Sequence, residues 1–414
     1  MRMHMIKFKV QASEFTKALN IISIVTPKPV TSQGNAGYLF VIRANGTCQA
    51  YSQESKHVTR AEIPISEVEG EGAFVYPSAF VGGFKELDGS DLISFEVGDR
   101  EGSFYIRYET SSGASGERPT FDPQKHKAVE VPEAGETDAV IPAALLRKAF
   151  DTVKGAIAKE DGKSEEFYQG IQIFDASKPE WETGDGHMFA ADGIRAAYFY
   201  CEAFKGKGLV IHGLHLGYVG SFLAKCDGDV ILRTTDNWSF MIHNGGALGW
   251  THHAKTHPRF KYYGEEMEKH VLLMNRDFLL RTLRYMRASL DVKADKVRIA
   301  YEATPDAWSL RFFFKETTGM VTSPLVTVMP GSEEAKVTGF SFNVNIDHFS
   351  ELIEAMEAKQ VGLRVAIFPP KGNRKEQALF RTIDRFWLDA GGKVLPGPEK
   401  GIECRVTRFV PSKD

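Results

Sequence analysis

One strand-to-helix pattern occurs three times in this chain, about 133 residues apart, and a period that long means duplicated domains rather than a solenoid of short units. The first copy runs Ile6-Lys-Phe-Lys-Val10 and then places Phe15, Leu19 and Ile22 on one helical face. The second runs Ala139-Val-Ile141 and then Leu146, Phe150 and Val153. The third runs His270-Val-Leu-Leu-Met274 and then Leu279, Leu283 and Met286. Each set falls at i, i+4, i+7, the spacing of one side of an α-helix. A second unit keeps the same frame: Val81, Phe84 and Leu87 answer to Leu216, Val219 and Leu223, then to Phe349, Leu352 and Met356. Two units sharing one offset make a triplicated α+β architecture the expectation.

The 414 residues suffice for three domains with cores of their own. Two breaker-rich stretches, 109–137 and 244–269, fall where such domains should join and read as linkers. The expected domains are 1–128, 129–262 and 263–414. Between the helical patterns lie short apolar or alternating runs, among them Leu92–Val97, Ser103–Tyr108, Val297–Tyr301, Ser309–Phe314 and Gly362–Ile367. These read as strands. Two helices packed on antiparallel sheet are therefore expected in each domain.

No apolar run reaches the roughly 18–20 residues needed to cross a bilayer, and the start at Met1 lacks a signal-peptide core. The cysteines Cys48, Cys201, Cys226 and Cys404 are scattered, as in a reduced cytoplasmic protein. The net charge of −3 excludes a general polycation, so any nucleic-acid contact requires local segregation of charge.

Such segregation is present. A helix over 143–159 sets Arg147, Lys148, Lys154 and Lys159 opposite its apolar side, with Asp151 as its one acid. A helix over 275–288 carries Arg276, Arg281, Arg284 and Arg287 against Asp277. Lys17 and Lys85 lie on the polar faces of the first pair. Surface helices usually carry charge simply to stay solvated, but equivalent helices with the same surplus in an acidic chain point to phosphate. A helix over 347–359 is acidic instead, with Asp347, Glu351, Glu354 and Glu357.

With these residues in order, the chain resembles the bacterial β sliding clamp, the processivity subunit (DNA polymerase III β subunit) of the replicative polymerase. The opening Met5–Val10 and the helix from Ser13 are similar to that family's start. Phe189-Ala-Ala-Asp-Gly-Ile-Arg-Ala-Ala197 resembles its Ala-Thr-Asp-Gly-His-Arg-Leu-Ala segment, Asn345-Ile-Asp-His348 its Asn-x-x-Tyr, and Arg259-Phe260 with Tyr262-Tyr263 its link into the third domain. The resemblance spans nearly the whole chain. It implies three clamp domains per subunit and a head-to-tail homodimer closing a ring around double-stranded DNA, gripped without regard to sequence. Lys17, Lys85, Arg147, Lys148, Lys154, Arg276, Arg281, Arg284 and Arg287 would line the hole. Partners would be a DNA polymerase, a clamp loader ATPase and other proteins carrying a clamp-binding peptide.

That peptide would dock in a pocket of Ala191, Gly193, Ile194, Arg195, Ala196, Asn345, His348, Phe409, Val410 and Pro411. Ala191, Ile194, His348 and the Ser412-Lys-Asp414 ending depart from the family pattern, so altered peptide preferences are expected. The subunit interface would use Phe104 and Ile106 against Ala288 and Leu290.

Enzyme readings find little support. Gly162-Lys163-Ser164 lacks the earlier glycine of a phosphate loop, since position 157 is Ile157. His252, His253 and His257 have metal-like spacing without a nearby cysteine or carboxylate. No nucleophile stands beside a base. The expectation is an accessory protein with no catalysis, metal, cofactor or membrane contact. The alternative is a non-ring binding or structural protein of tandem domains.

Overall fold

The first strand shows why the chain starts as it does. In β1 (Ile6–Gln11), Ile6, Phe8 and Val10 point inward, while Lys7 and Lys9 point out to Glu69 and Glu67. The alternation stops at Gln11, and α1 (Ala12–Ile22) begins at once, burying Ala12, Phe15, Ala18, Leu19 and Ile22. Two N–H groups of its first turn, which lack partners within the helix, donate to carbonyls of an adjoining turn: Ala12 to Asp91 at 2.8 Å and Ser13 to Gly89 at 3.2 Å.

The computed structural model describes residues 5–27, 36–100, 103–126, 129–133, 138–158, 169–173, 186–191, 195–200, 202–204, 208–252, 271–290, 296–303, 308–316, 319–322, 326–330, 341–354, 360–368, 377–384, 386–388, 394–396 and 403–409. After α1 come β2 (Gly37–Arg43), β3 (Thr47–Gln53), β4 (His57–Pro64), β5 (Ser66–Glu69) and β6 (Gly72–Pro77). A 3-10 helix (Ser78–Glu86) leads to β7 (Leu92–Arg100), β8 (Ser103–Thr110) and β9 (Ser115–Pro119). The next stretch holds β10 (Ala139–Pro142), α2 (Ala143–Lys154), β11 (Gly170–Ile173), β12 (His187–Ala191) and β13 (Arg195–Tyr200). It continues with β14 (Leu209–His212), α3 (Gly213–Leu223), β15 (Asp229–Thr234), β16 (Trp238–His243) and β17 (Gly246–Thr251). Then follow β18 (Val271–Asn275), α4 (Arg276–Ser289), β19 (Lys296–Ala303), β20 (Trp308–Glu316), β21 (Gly319–Thr322) and β22 (Val326–Pro330). The last are β23 (Ser341–Asn345), α5 (Ile346–Glu354), β24 (Gln360–Phe368), β25 (Gln377–Asp384), β26 (Phe386–Leu388), β27 (Val394–Pro396) and β28 (Glu403–Phe409).

The repeat is visible as wiring. Helices α1, α2 and α4 start at Ala12, Ala143 and Arg276, spaced 131 and 133 residues, each directly after a strand. The 3-10 helix, α3 and α5 start at Ser78, Gly213 and Ile346, spaced 135 and 133. In each set the strand before the first helix pairs antiparallel with the strand that follows the second. The registers are Gln11↔Leu92, Pro142↔Asp229 and Asn275↔Gln360. Ala143 N–H donates to Gly228 at 2.7 Å, repeating the Ala12–Asp91 contact.

Among the described residues, every strand pair is antiparallel. The chain separates into two compact units, one of 1–147 with 214–253 and one of 148–213 with 254–414, so the middle third of the sequence contributes to both. The first unit holds a five-stranded sheet ordered β5-β1-β7-β8-β9 and an eight-stranded sheet ordered β10-β15-β16-β17-β4-β3-β2-β6. Its core is aromatic: Phe8 stacks on Phe95 at 5.0 Å, Phe40 on Phe74 at 5.0 Å, and Phe15 meets Phe84 edge-on at 5.2 Å. The second unit holds a long sheet running β14-β11-β12-β13-β28-β25-β24-β18-β22-β20-β19-β23, with β21 beside β20, and the hairpin β26-β27. Pairing β17 with β4, and β13 with β28, leaves none of those four strands as an open edge.

Three sequence expectations change. The second helical segment of the first copy is 3-10, which suits Val81, Phe84 and Leu87: side chains spaced by three eclipse one another at three residues per turn. The linker at 109–137 begins as a hairpin, because Ser111–Gly113 turn the chain and Asp91 accepts from the Ser111 and Ser112 hydroxyls. The linker at 244–269 begins as β17, a central strand whose Trp250 is fully buried. Asn244 and Gly245, both at positive φ (43° and 75°), form the two-residue turn that leads into it. Helix α2 stops at Lys154, before Gly155 and short of the expected span, while α5 starts at Ile346, one residue before its own expected span, and residues 355–359 of that span lie outside the described residues.

Candidate nucleic-acid interface

Of the nine cations expected to meet phosphate, the structure separates those left at the surface from those put to other use. Lys17 is exposed on α1 and ion-paired with Glu14 at 2.6 Å, one helical turn away. Lys85 is exposed at the end of the 3-10 helix. On α2, Lys154 is exposed and paired with Asp151, while Arg147 and Lys148 are half-buried. The Arg147 charge reaches the Cys226 thiol, whose pKa burial pushes up to about 11 and that charge moderates. Lys159 lies outside the described residues. Helix α3 has no Lys or Arg, so the basic character is not shared by every helix.

Helix α4 is the most basic and the best defined locally. Asn275 caps it, its Oδ1 accepting from the Phe278 N–H at 2.9 Å. Leu279, Leu280, Thr282, Leu283 and Met286 are buried, which turns Arg281 and Arg284 outward. Arg281 lies over the Phe278 ring at 5.8 Å. Arg284 pairs with Glu354 at 3.0 Å and Arg287 with Asp347 at 3.1 Å. The basic helix therefore lies beside the acidic α5, a neighbour the sequence did not identify.

Arg276 has a second use that the sequence did not suggest. Its Nε donates to the Ile353 carbonyl at 3.2 Å and its Nη2 to the Glu354 carbonyl at 2.9 Å. It closes the C-terminal end of α5, where a cation also meets the negative end of the helix dipole. Its guanidinium belongs to the scaffold rather than to the free basic face.

The expected peptide pocket is described in part. Strand β12 ends at Ala191 and β13 begins at Arg195, with Ala191 opposite Ala196. Strand β28 lies along β13, with Arg195 opposite Thr407 and Ala196 opposite Val406. Phe409 ends β28 opposite Ala378, Asn345 ends β23, and His348 is in the first turn of α5. Residues of β23 come within 8 Å of β28, Cα to Cα. Gly193, Ile194, Val410 and Pro411 lie outside the described residues, as do Gly162–Ser164, His253, His257, Arg259–Phe260 and Tyr262–Tyr263. His252 is described, with Nε2 at 2.9 Å from Ser239 Oγ.

The interface expectation is corrected at Ile106. It is 0% exposed within the first unit's core, so it has no surface to offer another chain. Its strand β8 is flanked by β7 and β9, which makes β9 the outer edge. Phe104 is half-buried, Ala288 exposed and Leu290 buried at the end of α4.

Sequence reading also missed a buried polar group. His57 Nε2 lies 2.7 Å from His215 Nδ1, and His57 Nδ1 lies 2.5 Å from Glu54. The ring of Tyr218 covers His57 at 4.0 Å. His215 sits one residue before the expected core position Leu216, and β4 alone gives no hint that it faces α3.

Among the described residues, no helix is long and apolar enough to cross a membrane. No protein-family model matches the chain, and no curated protein matches it by sequence. Solved structures do match, end to end. A DnaN sliding clamp (DNA polymerase III subunit beta) from Bartonella birtlesii bound to griselimycin is 14% identical, with TM-score 0.71, covering 99% of this chain and 100% of that one. The DNA polymerase III beta subunit from Thermotoga maritima is 17% identical, with TM-score 0.70 and the same coverage. The Pseudomonas aeruginosa beta subunit is 13% identical, with TM-score 0.73, covering 98% of this chain and 100% of that one. From one end to the other, this chain has the fold of the DNA polymerase III β sliding clamps, in a strongly diverged sequence.

Proposed function

We propose that this protein is a DNA sliding clamp, a processivity factor that encircles duplex DNA and tethers a DNA polymerase and other replication or repair proteins. The observation that carries the proposal is the end-to-end match in fold to β clamps. Each subunit would comprise three clamp domains, 1–128, 129–262 and 263–414, and two subunits would close a head-to-tail ring in the cytoplasm. A clamp needs affinity that ignores sequence, which long cationic side chains supply by touching phosphates and not base edges. Lys17, Lys85, Lys154, Arg281, Arg284 and Arg287 are the side chains suited to it. Arg147 and Lys148 would add to the field from less exposed positions. Topology then supplies the retention that weak, salt-screened contacts cannot. Opening the ring would fall to a separate loader ATPase.

Partner peptides would dock where Ala191, Gly193, Ile194, Arg195 and Ala196 meet Asn345, His348, Phe409, Val410 and Pro411. The pairing of β13 with β28 supports that site by bringing two of these segments side by side. For the subunit contact, the exposed edge β9 and the end of α4 at Ala288 are the surfaces to consider, with Phe104 in reserve. Native mass at micromolar concentration should be twice 46.1 kDa, and electron micrographs should show rings with an open centre. A monomer, or an open rod, at every concentration would overturn the proposal and favour a non-ring tandem-domain protein.

A further inference from the structure

We infer that Asp347 and Glu354 of α5 occupy the place of DNA phosphates on Arg287 and Arg284, and so set how tightly this chain grips duplex DNA. The inference rests on the clamp reading and deepens it. Helix α4 by itself carries Arg276, Arg281, Arg284 and Arg287 against Asp277, while α5 carries Asp347, Glu351 and Glu354 with no Lys or Arg. Side by side the two surpluses of three cancel. The contacts are specific: Arg284 Nη2 to Glu354 Oε1 at 3.0 Å and Arg287 Nε to Asp347 Oδ1 at 3.1 Å.

Both pairs are wet, with the arginines 67% and 38% exposed and their carboxylates 48% and 46%. Ion pairs in such surroundings are weak and exchange partners readily. A carboxylate oxygen and a phosphate oxygen offer a guanidinium the same charge-assisted acceptor. Phosphate binding therefore displaces a resident carboxylate and leaves it facing the DNA, which lowers the net gain. Lys17 with Glu14, and Lys154 with Asp151, repeat the arrangement within single helices. Four candidate phosphate-binding cations thus come with a competitor in place. Arg276 also meets a carboxylate, Asp277 at 3.1 Å, but two backbone carbonyls of α5 hold its guanidinium as well, which sets it apart from this exchange. A grip weakened in this way suits a ring that must slide, because retention comes from closure.

The test is binding of the full-length protein to a short fluorescent duplex of mixed sequence, by anisotropy, at salt from about 50 to 200 mM. Asp347→Asn with Glu354→Gln should bind about three- to tenfold tighter than wild type at the lowest salt, with the advantage shrinking as salt rises. Glu67→Gln with Glu69→Gln adds the same net charge on β5, where those residues pair with Lys9 and Lys7, and should stay within about twofold of wild type. In an Arg284→Ala, Arg287→Ala background the α5 changes should lose most of their effect, since removing one side of a pair removes the coupling. Glu354→Gln alone, nearly isosteric, should give a smaller gain in the same direction. If the α5 variants bind no tighter than the β5 control, the inference fails and the clamp reading stands. If wild type and α5 variants alike show no salt-dependent binding, both fall.

Discussion

Arg276 offers the sharpest separation between scaffold and DNA contact on a single helix. Its side chain is 21% exposed and donates two hydrogen bonds to the last two carbonyls of α5. Each charged donor on a carbonyl contributes about 1.5 kcal/mol at the low end of its range, the end suited to a partly wet site, so the two together give about 3 kcal/mol. Favourable placement at a helix C-terminus adds about 0.5 kcal/mol. Partial rehydration of the freed carbonyls takes some of this back, so Arg276→Ala should cost about 2 kcal/mol. For a folding unit of roughly 150–250 residues, that corresponds to a fall of about 4–8 °C in melting temperature. Arg276→Lys, which keeps the charge but not the fork, should fall between the two. Arg281→Ala should do the reverse: its contact is an exposed stack on Phe278, so stability should hold while affinity for duplex DNA drops at low salt. Calorimetry and anisotropy on the same preparations read both quantities. Should Arg276→Ala melt like wild type and lose as much DNA affinity as Arg281→Ala, the scaffold assignment would be refuted.

Two further outcomes follow from the first unit. Arg233 grips Asp138 with both arms (Nε to Oδ1 at 2.9 Å, Nη2 to Oδ2 at 2.6 Å) and also donates to the Pro132 carbonyl, with both side chains largely buried. Asp138→Ala should cost about 3 kcal/mol by stranding that guanidinium, read as a lower denaturant midpoint at unchanged slope, and an unchanged midpoint would contradict it. The second concerns His126, whose imidazole burial holds below its ordinary 6.5, with Asp122 opposing. Below that value the unfolded chain takes up a proton that the folded chain resists, so this stability is complete above it and is lost as pH falls. The melting temperature should therefore decline less steeply between about pH 7 and 5 in His126→Asn than in wild type, and equal slopes would refute the effect.

Much of the fold was readable from short stretches. Phe15, Leu19 and Ile22 are buried on α1, and Leu146, Phe150 and Val153 on α2, because a helical period sustained over three turns can satisfy only one buried face. Some misreadings had a local signal against them. The spacing of three in Val81, Phe84 and Leu87 already favoured a 3-10 helix, and Asn244-Gly245 between apolar runs already marked a hairpin. The roles of other residues had no local signal at all. His57 meets His215 across 158 positions, Arg233 meets Asp138 across 95, and Arg284 meets Glu354 across 70.

The sequence by itself therefore determined the triplicated strand-to-helix plan, the faces the helices bury and the places where basic charge collects. Periodicity and composition act within a turn or a strand, where the chain's own geometry leaves few choices. Only the tertiary structure decided that α4 would lie against α5, that Arg276 would be spent on carbonyls, and that Ile106 would go to the core. Those outcomes depend on which strands close the sheets and in what register, and pairing between distant segments is not a property of either segment alone.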